Sequence, residues 1–248
     1  MKSVAMLADT ILDPKGGELG FNRAYGTTGS FFDWLHRPEN VYQVQRFYVA
    51  MRGTAALESP DAIHKGFNWS GLPAGSVVVD VGGGTGQISL AIAWKNPSLR
   101  IVVQDLEDTI KNSKIYGNEN LPSHVESRKV ESQVHDFYTP QPVCSVIAQD
   151  WSEERFVKIL RHLRDAAHPT TKLVVIDKIL ESAAGVPDSG EEAIPGSARP
   201  SAPAPLLPDW GVGKASVYYL DVSVSASVRK QEGRSLTVVI DAFLTGWS

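Results

Sequence analysis

The residues best placed to do chemistry are a group of glycines that lies between two acidic side chains. The stretch VVVDVGGGTGQISLAIA spans residues 77–93, and in it Asp80 precedes glycines at positions 82, 83, 84 and 86. An apolar β-branched run, a glycine-rich turn and a new apolar pattern predict strand, tight turn and helix. Glycine suits a turn that approaches a ligand, because a Cβ would clash or forbid a positive φ. The free N–H groups of the following helix would point at the same turn.

The spacing of the glycines indicates which ligand the turn would bind. Dinucleotide-binding turns carry G-x-G-x-x-G, whereas Gly82, Gly84 and Gly86 give G-x-G-x-G. The Asp80 carboxylate would repel a pyrophosphate but suits a cation, and S-adenosylmethionine (SAM) carries an ammonium and a sulfonium group. A second apolar strand, IVVQDL, ends in Asp105, where a carboxylate can accept both ribose hydroxyls. The alternative is a glycine-rich turn of any α/β protein, with Asp105 as an ordinary strand-end residue.

The composition is that of an ordinary globular protein. A chain of 248 residues suits one domain, or one domain with an appendage, and a net charge of -4 gives no basic surface for nucleic acid. Cys144 is the single cysteine, which excludes an internal disulfide and a cysteine zinc cluster, so no metal is expected. The apolar run at residues 4–7 is too short for a signal peptide, and no stretch could span a bilayer. We expect a cytoplasmic protein with a small-molecule partner and neither a nucleic-acid nor a membrane partner.

The segment before the glycine turn is rich in aromatic residues. Phe31, Phe32 and Trp34 form an apolar cluster, and a following helix presents Val44, Phe47, Tyr48 and Met51 on one face. Such a stripe is typical of a core. Its position ahead of the glycine turn also allows a second interpretation, the wall of a substrate pocket.

The remainder of the chain continues the alternation of strands and helices. A helix is predicted over residues 106–116, a polar loop over 117–123, and a strand over 130–134 that leads into Asp136 and Phe137. In a SAM-binding fold these two residues would hold adenine; the alternative is a strand-end turn. A helix with a strong apolar face follows Trp151, and LVVID predicts a strand that ends at Asp177. Residues 181–208, rich in Ala, Pro, Gly and Ser, read as a flexible loop.

Taken together, these motifs resemble a known family. VVDVGGGTG, VVQDL, HDFYTPQPV, QDWSEE and LVVID resemble the class I SAM-dependent O-methyltransferases of the plant caffeate type and their fungal secondary-metabolite relatives. The resemblance implies an α/β fold with a mostly parallel Rossmann-like sheet flanked by helices on both faces. It divides the chain into a helical remnant of a dimerisation or lid region at 1–70 and a SAM-binding domain at 71–248. It leaves homodimer formation open.

The resemblance also implies roles for individual residues. Gly82, Gly83 and Gly84, with Asp80 before them, would hold the methionine part of SAM, Asp105 the ribose, and Asp136 with Phe137 the adenine. The aromatic segment would wall the acceptor pocket, through Phe31, Phe32, Trp34 and Met51. A small aromatic or polyketide-type metabolite would be the methyl acceptor.

This sequence departs from the family pattern where the family performs catalysis. The family's general-base histidine is replaced by Gln149, whose amide cannot accept the acceptor's proton. The acidic partners of that base would match Asp177 and, one position off, Glu232. Around Cys144 the fourth strand is about ten residues short of a usual strand and its turn, and both ends of the chain are shorter than in the family. His135, His162 and His168 do not obviously replace the missing base.

Three functions remain compatible with this pattern. The first is an O-methyltransferase that works by alignment and prefers an acceptor that is already ionised. The second is a methyltransferase fold used as a cyclase or pericyclase, in which SAM would act electrostatically. The third is a truncated, inactive member of the family.

Overall fold

The computed structural model describes residues 2–56, 61–142, 153–176, 202–207, 210–211 and 215–227. Within these ranges the strands are β1 Val77–Val81, β2 Arg100–Asp105 and β3 Val130–Val134. The helices are α1 Lys2–Ala5, α2 Leu7–Leu12, α3 Gly20–Tyr25, α4 Phe31–Leu35, α5 Val41–Ala56, α6 Ala62–Gly66, α7 Gln87–Lys95, α8 Glu107–Asn120, α9 Pro122–Glu126, α10 Glu153–Asp165 and α11 Ala215–Ser227. Short 3₁₀ turns occupy Pro38–Asn40 and Trp69–Gly71.

The described residues form two compact units. One combines those of residues 1–31 and 177–231, and the other contains those of residues 32–176. In the first unit Phe21 of α3 is fully buried, and Gly20 brings α3 against the Ser3 carbonyl group of α1. The predicted boundary between residues 70 and 71 concerns the family's domain organisation and stays a prediction.

The second unit is built on a parallel sheet in which the described strands have the order β1-β2-β3. Val79 pairs with Val102, and Val103 pairs with Ser132 in the next strand. Helix α7 connects β1 to β2, while α8 and α9 connect β2 to β3. Parallel strands joined in this way end at the same edge of the sheet. Asp80, near the end of β1, and Asp105, the last residue of β2, therefore lie at one edge.

Apolar cores lie on both faces of this sheet. On one face α10 packs on β1 and β2 through four side chains that are at most 2% exposed: Phe156, Ile159, Leu160 and Leu163. On the other face α7 contributes Leu90, Ile92 and Ala93 to a cluster with Val78, Ile101 and Val130. Both faces must be covered because β1 and β2 are apolar on both sides. The predicted α/β class, with a parallel sheet and helices on both faces, is confirmed.

Two local predictions were wrong. Residues 117–123 are not a loop, because α8 continues to Asn120 and α9 begins at Pro122. Gly117 does not break the helix; it is buried, and a Cβ there would lie 3.3 Å from Val125. Residues 173–176 are not assigned to a strand in the described part of the chain, although Val175 packs on one core and Val174 on the other. The side chains of residues 173–175 thus alternate between the two cores as those of a strand would, although the described part of the chain has no strand assigned there.

Candidate functional site

The glycine turn between β1 and α7 has the backbone that its sequence requires. Gly82, Gly84 and Gly86 have φ values of 70°, 59° and 84°, in the left-handed region that favours glycine. The N–H groups of Gly82 and Gly83 both donate to the Gln104 carbonyl oxygen, at 2.9 and 3.1 Å. These two hydrogen bonds tie the turn to β2. The turn is therefore held by backbone contacts before any ligand is considered.

Asp105 is the second anchor of the turn. One carboxylate oxygen accepts the Gly84 N–H at 2.9 Å, and the other accepts the Leu106 N–H at 2.7 Å. Burial raises the pKa of this carboxyl group, and these backbone hydrogen bonds oppose that rise, as does a hydrogen bond from Thr109. Each carboxylate oxygen can accept more than one hydrogen bond. Asp105 can hold the turn and still accept the two hydroxyl groups of a ribose.

Asp80 lies beneath the turn, with only 2% of its surface exposed. One of its oxygens accepts the Ser89 hydroxyl at 2.7 Å, and Oδ1 has no hydrogen-bond partner among the described residues. Burial raises the pKa of Asp80 to about 6, and the nearby Asp105 adds to the rise. The carboxylate fills the space where Gly83 would carry a Cβ, which would lie 2.6 Å from the carboxyl carbon. A buried, incompletely paired carboxylate favours a cation above it, and direct contact between Asp80 and the ligand stays a prediction.

Residues after β3 complete this edge of the sheet. The His135 N–H donates to the Asp105 carbonyl oxygen at 3.0 Å, which places the following turn beside β2. Asp136 is exposed, and its Oδ1 accepts the Tyr138 N–H at 2.9 Å. The Phe137 ring lies 3.5 Å from the position of a Cβ at Gly82. The structure thus brings Asp136 and Phe137 to the same edge as the glycine turn and Asp105.

The shape of the turn can be tested against SAM. A Cβ built on Gly84 would meet nothing within 4 Å, so the turn borders open space there. Around that space stand acceptor groups on Asp105, the Phe137 ring and an uncompensated carboxylate at Asp80. A nucleoside that carries a positive charge fits this set of acceptors, ring and charge.

The aromatic residues predicted to wall the acceptor pocket fall in both units. Phe31 belongs to the first unit, where its ring meets that of Phe21 at a centroid distance of 5.4 Å. Phe32, Trp34 and Met51 belong to the second unit. The Phe32 ring contacts that of Phe47 at 6.1 Å, and Met51 is 38% exposed on α5. Their role in binding an acceptor stays a prediction.

The predicted catalytic residues, Gln149, Asp177 and Glu232, lie outside the described residues, as does the shortened region around Cys144. In the part of the chain that is described, no three His, Cys, Asp or Glu side chains come together in a group that could hold a metal ion. The described helices also include none with the length and apolarity of a membrane span.

Three side chains near Asp105 were not assigned to the site from the sequence. Thr109 opposes the rise in the pKa of Asp105, and the Tyr48 hydroxyl of α5 lies 3.0 Å from the Thr109 hydroxyl. Burial is the main cause that raises the pKa of Tyr48, and Asp105 contributes. His36 is the smallest of the influences that oppose the raised pKa of Asp105. Thr109 could have been found from the sequence. It lies four positions after Asp105, in the first turn of α8, and residues four positions apart face the same side of a helix.

A cavity of about 570 Å³ in the second unit borders the glycine turn at Thr85 and Gly86. It lies among α7, α8, β2 and β3, and its lining includes Ser113, Lys114, Arg128 and Glu131. None of the residues predicted to bind the cofactor lines this cavity. The predicted cofactor residues line the open edge of the sheet instead.

Known proteins resemble this chain in both sequence and fold. It is 38% identical over 244 residues to 4-O-methyltransferase 1 of Phanerochaete chrysosporium, covering 93% of this chain and 52% of that protein. It is 36% identical to an O-methyltransferase of Armillaria gallica, covering 99% of this chain and 55% of that protein. The chain thus spans about half the length of these curated relatives.

Solved structures share the fold. The O-methyltransferase NcsB1 from neocarzinostatin biosynthesis, in complex with S-adenosyl-L-homocysteine and 1,4-dihydroxy-2-naphthoic acid, matches with a TM-score of 0.56 and 26% identity over 70% of this chain and 50% of that one. LepI in complex with SAM matches with a TM-score of 0.63 over 97% of this chain and 58% of that one; its 20% identity indicates the fold alone. The family described as the O-methyltransferase domain matches residues 4–191. The chain therefore belongs to the O-methyltransferase domain family.

Proposed function

We propose that this chain binds SAM at the carboxyl ends of β1–β3 and transfers its methyl group to an oxygen of a small aromatic or polyketide-type secondary metabolite. The observation that carries the proposal is the contact between Gly84 and Asp105, which joins the glycine turn to the carboxylate predicted to bind ribose. SAM would supply an electrophilic methyl group on a sulfonium. The acceptor oxygen would form the new C–O bond as the C–S bond breaks, giving a methyl ether or, from a carboxylate, a methyl ester, together with S-adenosylhomocysteine (SAH).

The residues of the chain have separate tasks in this proposal. Asp105 would accept the ribose hydroxyls, Asp136 the adenine amino group, and Phe137 would contact the adenine ring. Asp80 would favour the cationic cofactor by its charge. The aromatic residues Phe31, Phe32, Trp34 and Met51 would exclude water from the acceptor.

The nature of residue 149 restricts the acceptor. A positioned general base is worth about 10² to 10⁴ in rate, and Gln149 cannot supply one. Asp177 and Glu232, which match the partners of the base by sequence alone, do not replace it. An acceptor that is already ionised, such as a carboxylate or an acidic phenol or enol, needs no base. NcsB1 was solved with a hydroxylated naphthoic acid, which supports the choice of hydroxylated aromatic acids as first test compounds.

Calorimetric titration with SAH tests the cofactor part of the proposal. We expect micromolar binding, and Asp105→Asn should weaken it about 10- to 100-fold, because charged hydrogen bonds to the ribose would be lost. Asp108→Asn is the matched control, since Asp108 is exposed and pairs with Lys111. A folded protein that binds neither SAM nor SAH would contradict the proposal and favour an inactive member of the family.

Product analysis tests the transfer itself. Incubation with SAM and a hydroxylated aromatic acid should give a product that has gained one methylene group in mass, together with SAH. The replacement of the general base by Gln149 also favours a second candidate, a SAM-dependent cyclase or pericyclase. That function would give an isomer of unchanged mass and consume no SAM.

A further inference from the structure

We propose that the cavity bordering the glycine turn binds a small organic carboxylate, whose charged group pairs with Lys114 and Arg128 while its apolar body fills the interior. The cavity has a volume of about 570 Å³ and lies among α7, α8, β2 and β3. None of the residues predicted to bind SAM lines it. The inference therefore goes beyond the proposed function and does not depend on it.

Arg128 occupies a backbone position at which glycine is the usual residue. Helix α9 ends at Glu126, and the N–H groups of Arg128 and Lys129 donate to the carbonyl oxygens of Val125 and His124, at 3.0 and 2.8 Å. This pair of hydrogen bonds forms a Schellman motif, in which the residue at the place of Arg128 is left-handed and usually glycine. Arg128 has a φ of 55°. Because a Cβ is unfavourable in this conformation, the arginine side chain is present at a cost in stability.

The cations that line the cavity are not neutralised by neighbouring side chains. Within the described ranges, neither the Arg128 guanidinium nor the Lys114 amine forms a hydrogen bond or an ion pair. Glu131, the acidic residue among the described lining, is already paired, because its Oε1 lies 3.1 Å from the Arg100 guanidinium. Lys114 and Arg128 are exposed, so they stand where the cavity meets solvent. Two positive charges are thus available to a carboxylate, which accepts charge-assisted hydrogen bonds.

The interior of the cavity is apolar apart from a pair of hydroxyl groups. Leu90 of α7, Val103 of β2 and Val130 of β3 line it and are at most 8% exposed. The hydroxyl oxygens of Ser113 and Ser132 lie 3.1 Å apart. Only one of two paired hydroxyls donates to the other, so the second has a hydrogen to donate to a bound molecule. The volume is in the range of ligand pockets, so a molecule with an apolar body suits this cavity better than an inorganic anion.

The substitution Arg128→Gly separates binding from folding. Glycine suits the left-handed position, so R128G should melt at no lower a temperature than the wild type. The probe is 2-naphthoate, and 2-naphthamide is its uncharged counterpart of similar shape. We expect 2-naphthoate to bind the wild type with a dissociation constant of about 1 mM or below. R128G should weaken its binding about 3- to 5-fold, as the loss of an exposed ion pair would, and leave the binding of 2-naphthamide unchanged.

Amide NMR shifts during the titration measure the affinity and also locate the ligand. The shifts should be largest around Ser113 and Ser132, which line the cavity. Lys114→Gln should also weaken the binding of 2-naphthoate, by about 3-fold. Lys111→Gln is its matched control, because Lys111 lies on the same helix, pairs with Asp108 at 2.9 Å and does not line the cavity. K111Q should bind both compounds as the wild type does.

Three results would overturn the assignment. The wild type could bind 2-naphthoate no better than 2-naphthamide, R128G could bind both compounds as the wild type does, or the shifts could centre on Asp105 and the glycine turn's open edge instead. If R128G melts at a lower temperature, the comparison of K114Q with K111Q is decisive, and equal binding by these two variants contradicts the proposal. Binding of SAH without binding of 2-naphthoate contradicts only this inference, whereas binding of 2-naphthoate in the cavity without binding of SAH contradicts only the proposed function.

Discussion

The two regions that meet at Asp105 are positioned by different means. The glycine turn is held by backbone groups: Gly82, Gly83 and Gly84 all donate to β2 or to its last side chain. The segment before the turn reaches the first turn of α8, next to that carboxylate, through a side-chain contact between the Tyr48 and Thr109 hydroxyl groups. A site held by backbone groups tolerates few substitutions but can be predicted from the sequence. A site held by side chains depends on packing that the sequence does not show.

The largest effect should come from adding one methyl group to the backbone-held region. Gly83→Ala places a Cβ 2.6 Å from the buried carboxyl carbon of Asp80, so the turn or Asp80 must move. We expect a loss of about 3 kcal/mol in the free energy of unfolding and loss of measurable SAH binding. Gly53→Ala in α5 is the control, because nothing lies within 4 Å and alanine favours a helix. Urea unfolding measures both, and equal stability of the two variants would contradict the tight packing under the turn.

The next effect concerns the pH dependence that Asp80 imposes on stability. Its pKa in the folded protein, about 6, is raised above the ordinary value of 3.8. The folded state therefore binds more protons than the unfolded state between these values, and stability falls as the pH rises through about 6. Relative to Asp80→Asn, the wild type should lose about 2 kcal/mol between about pH 4.5 and 7.5. Urea unfolding at both pH values measures this difference, and parallel behaviour of the two proteins would show that burial does not perturb Asp80.

The smallest effect is expected in the region held by side chains. Tyr48→Phe removes the hydroxyl that contacts Thr109 and should cost about 1 kcal/mol of unfolding free energy. Tyr42→Phe, on the same helix with Tyr42 64% exposed, should change it by less than about 0.5 kcal/mol. Because Tyr48 contacts Thr109 rather than the ligand, Y48F should change the affinities for SAH and for its 2′-deoxy and 3′-deoxy analogues by the same factor. Unequal changes in these affinities would indicate that Tyr48 contacts the ribose directly.

Much of the second unit was predictable because its signals are local. Strands β1 and β2 contain short apolar runs, and the face of α10 repeats at helical spacing, so each is visible in a single window of sequence. The errors arose where tertiary contacts decide. Gly117 resembles a helix terminator in the sequence, yet in the structure it permits close packing against Val125.

The site divides in the same way. Gly82 to Gly84 and Asp105 could be predicted as site residues because their chemistry depends on residue type and spacing along the chain. The contact of Tyr48 with Thr109 joins residues 61 positions apart, and no local pattern records it.

The hydrogen bonds from the turn to β2 have a consequence for motion. The amide hydrogens of Gly82 and Gly83 are donated to Gln104 and that of Gly84 to the Asp105 side chain, so their exchange with solvent requires a local separation of the turn from these acceptors. Occupancy of the Asp105 carboxylate by ribose would oppose that separation. Slower deuterium uptake at these three amides should therefore report binding of the nucleoside end of the cofactor, even by a fragment with no methyl group to transfer.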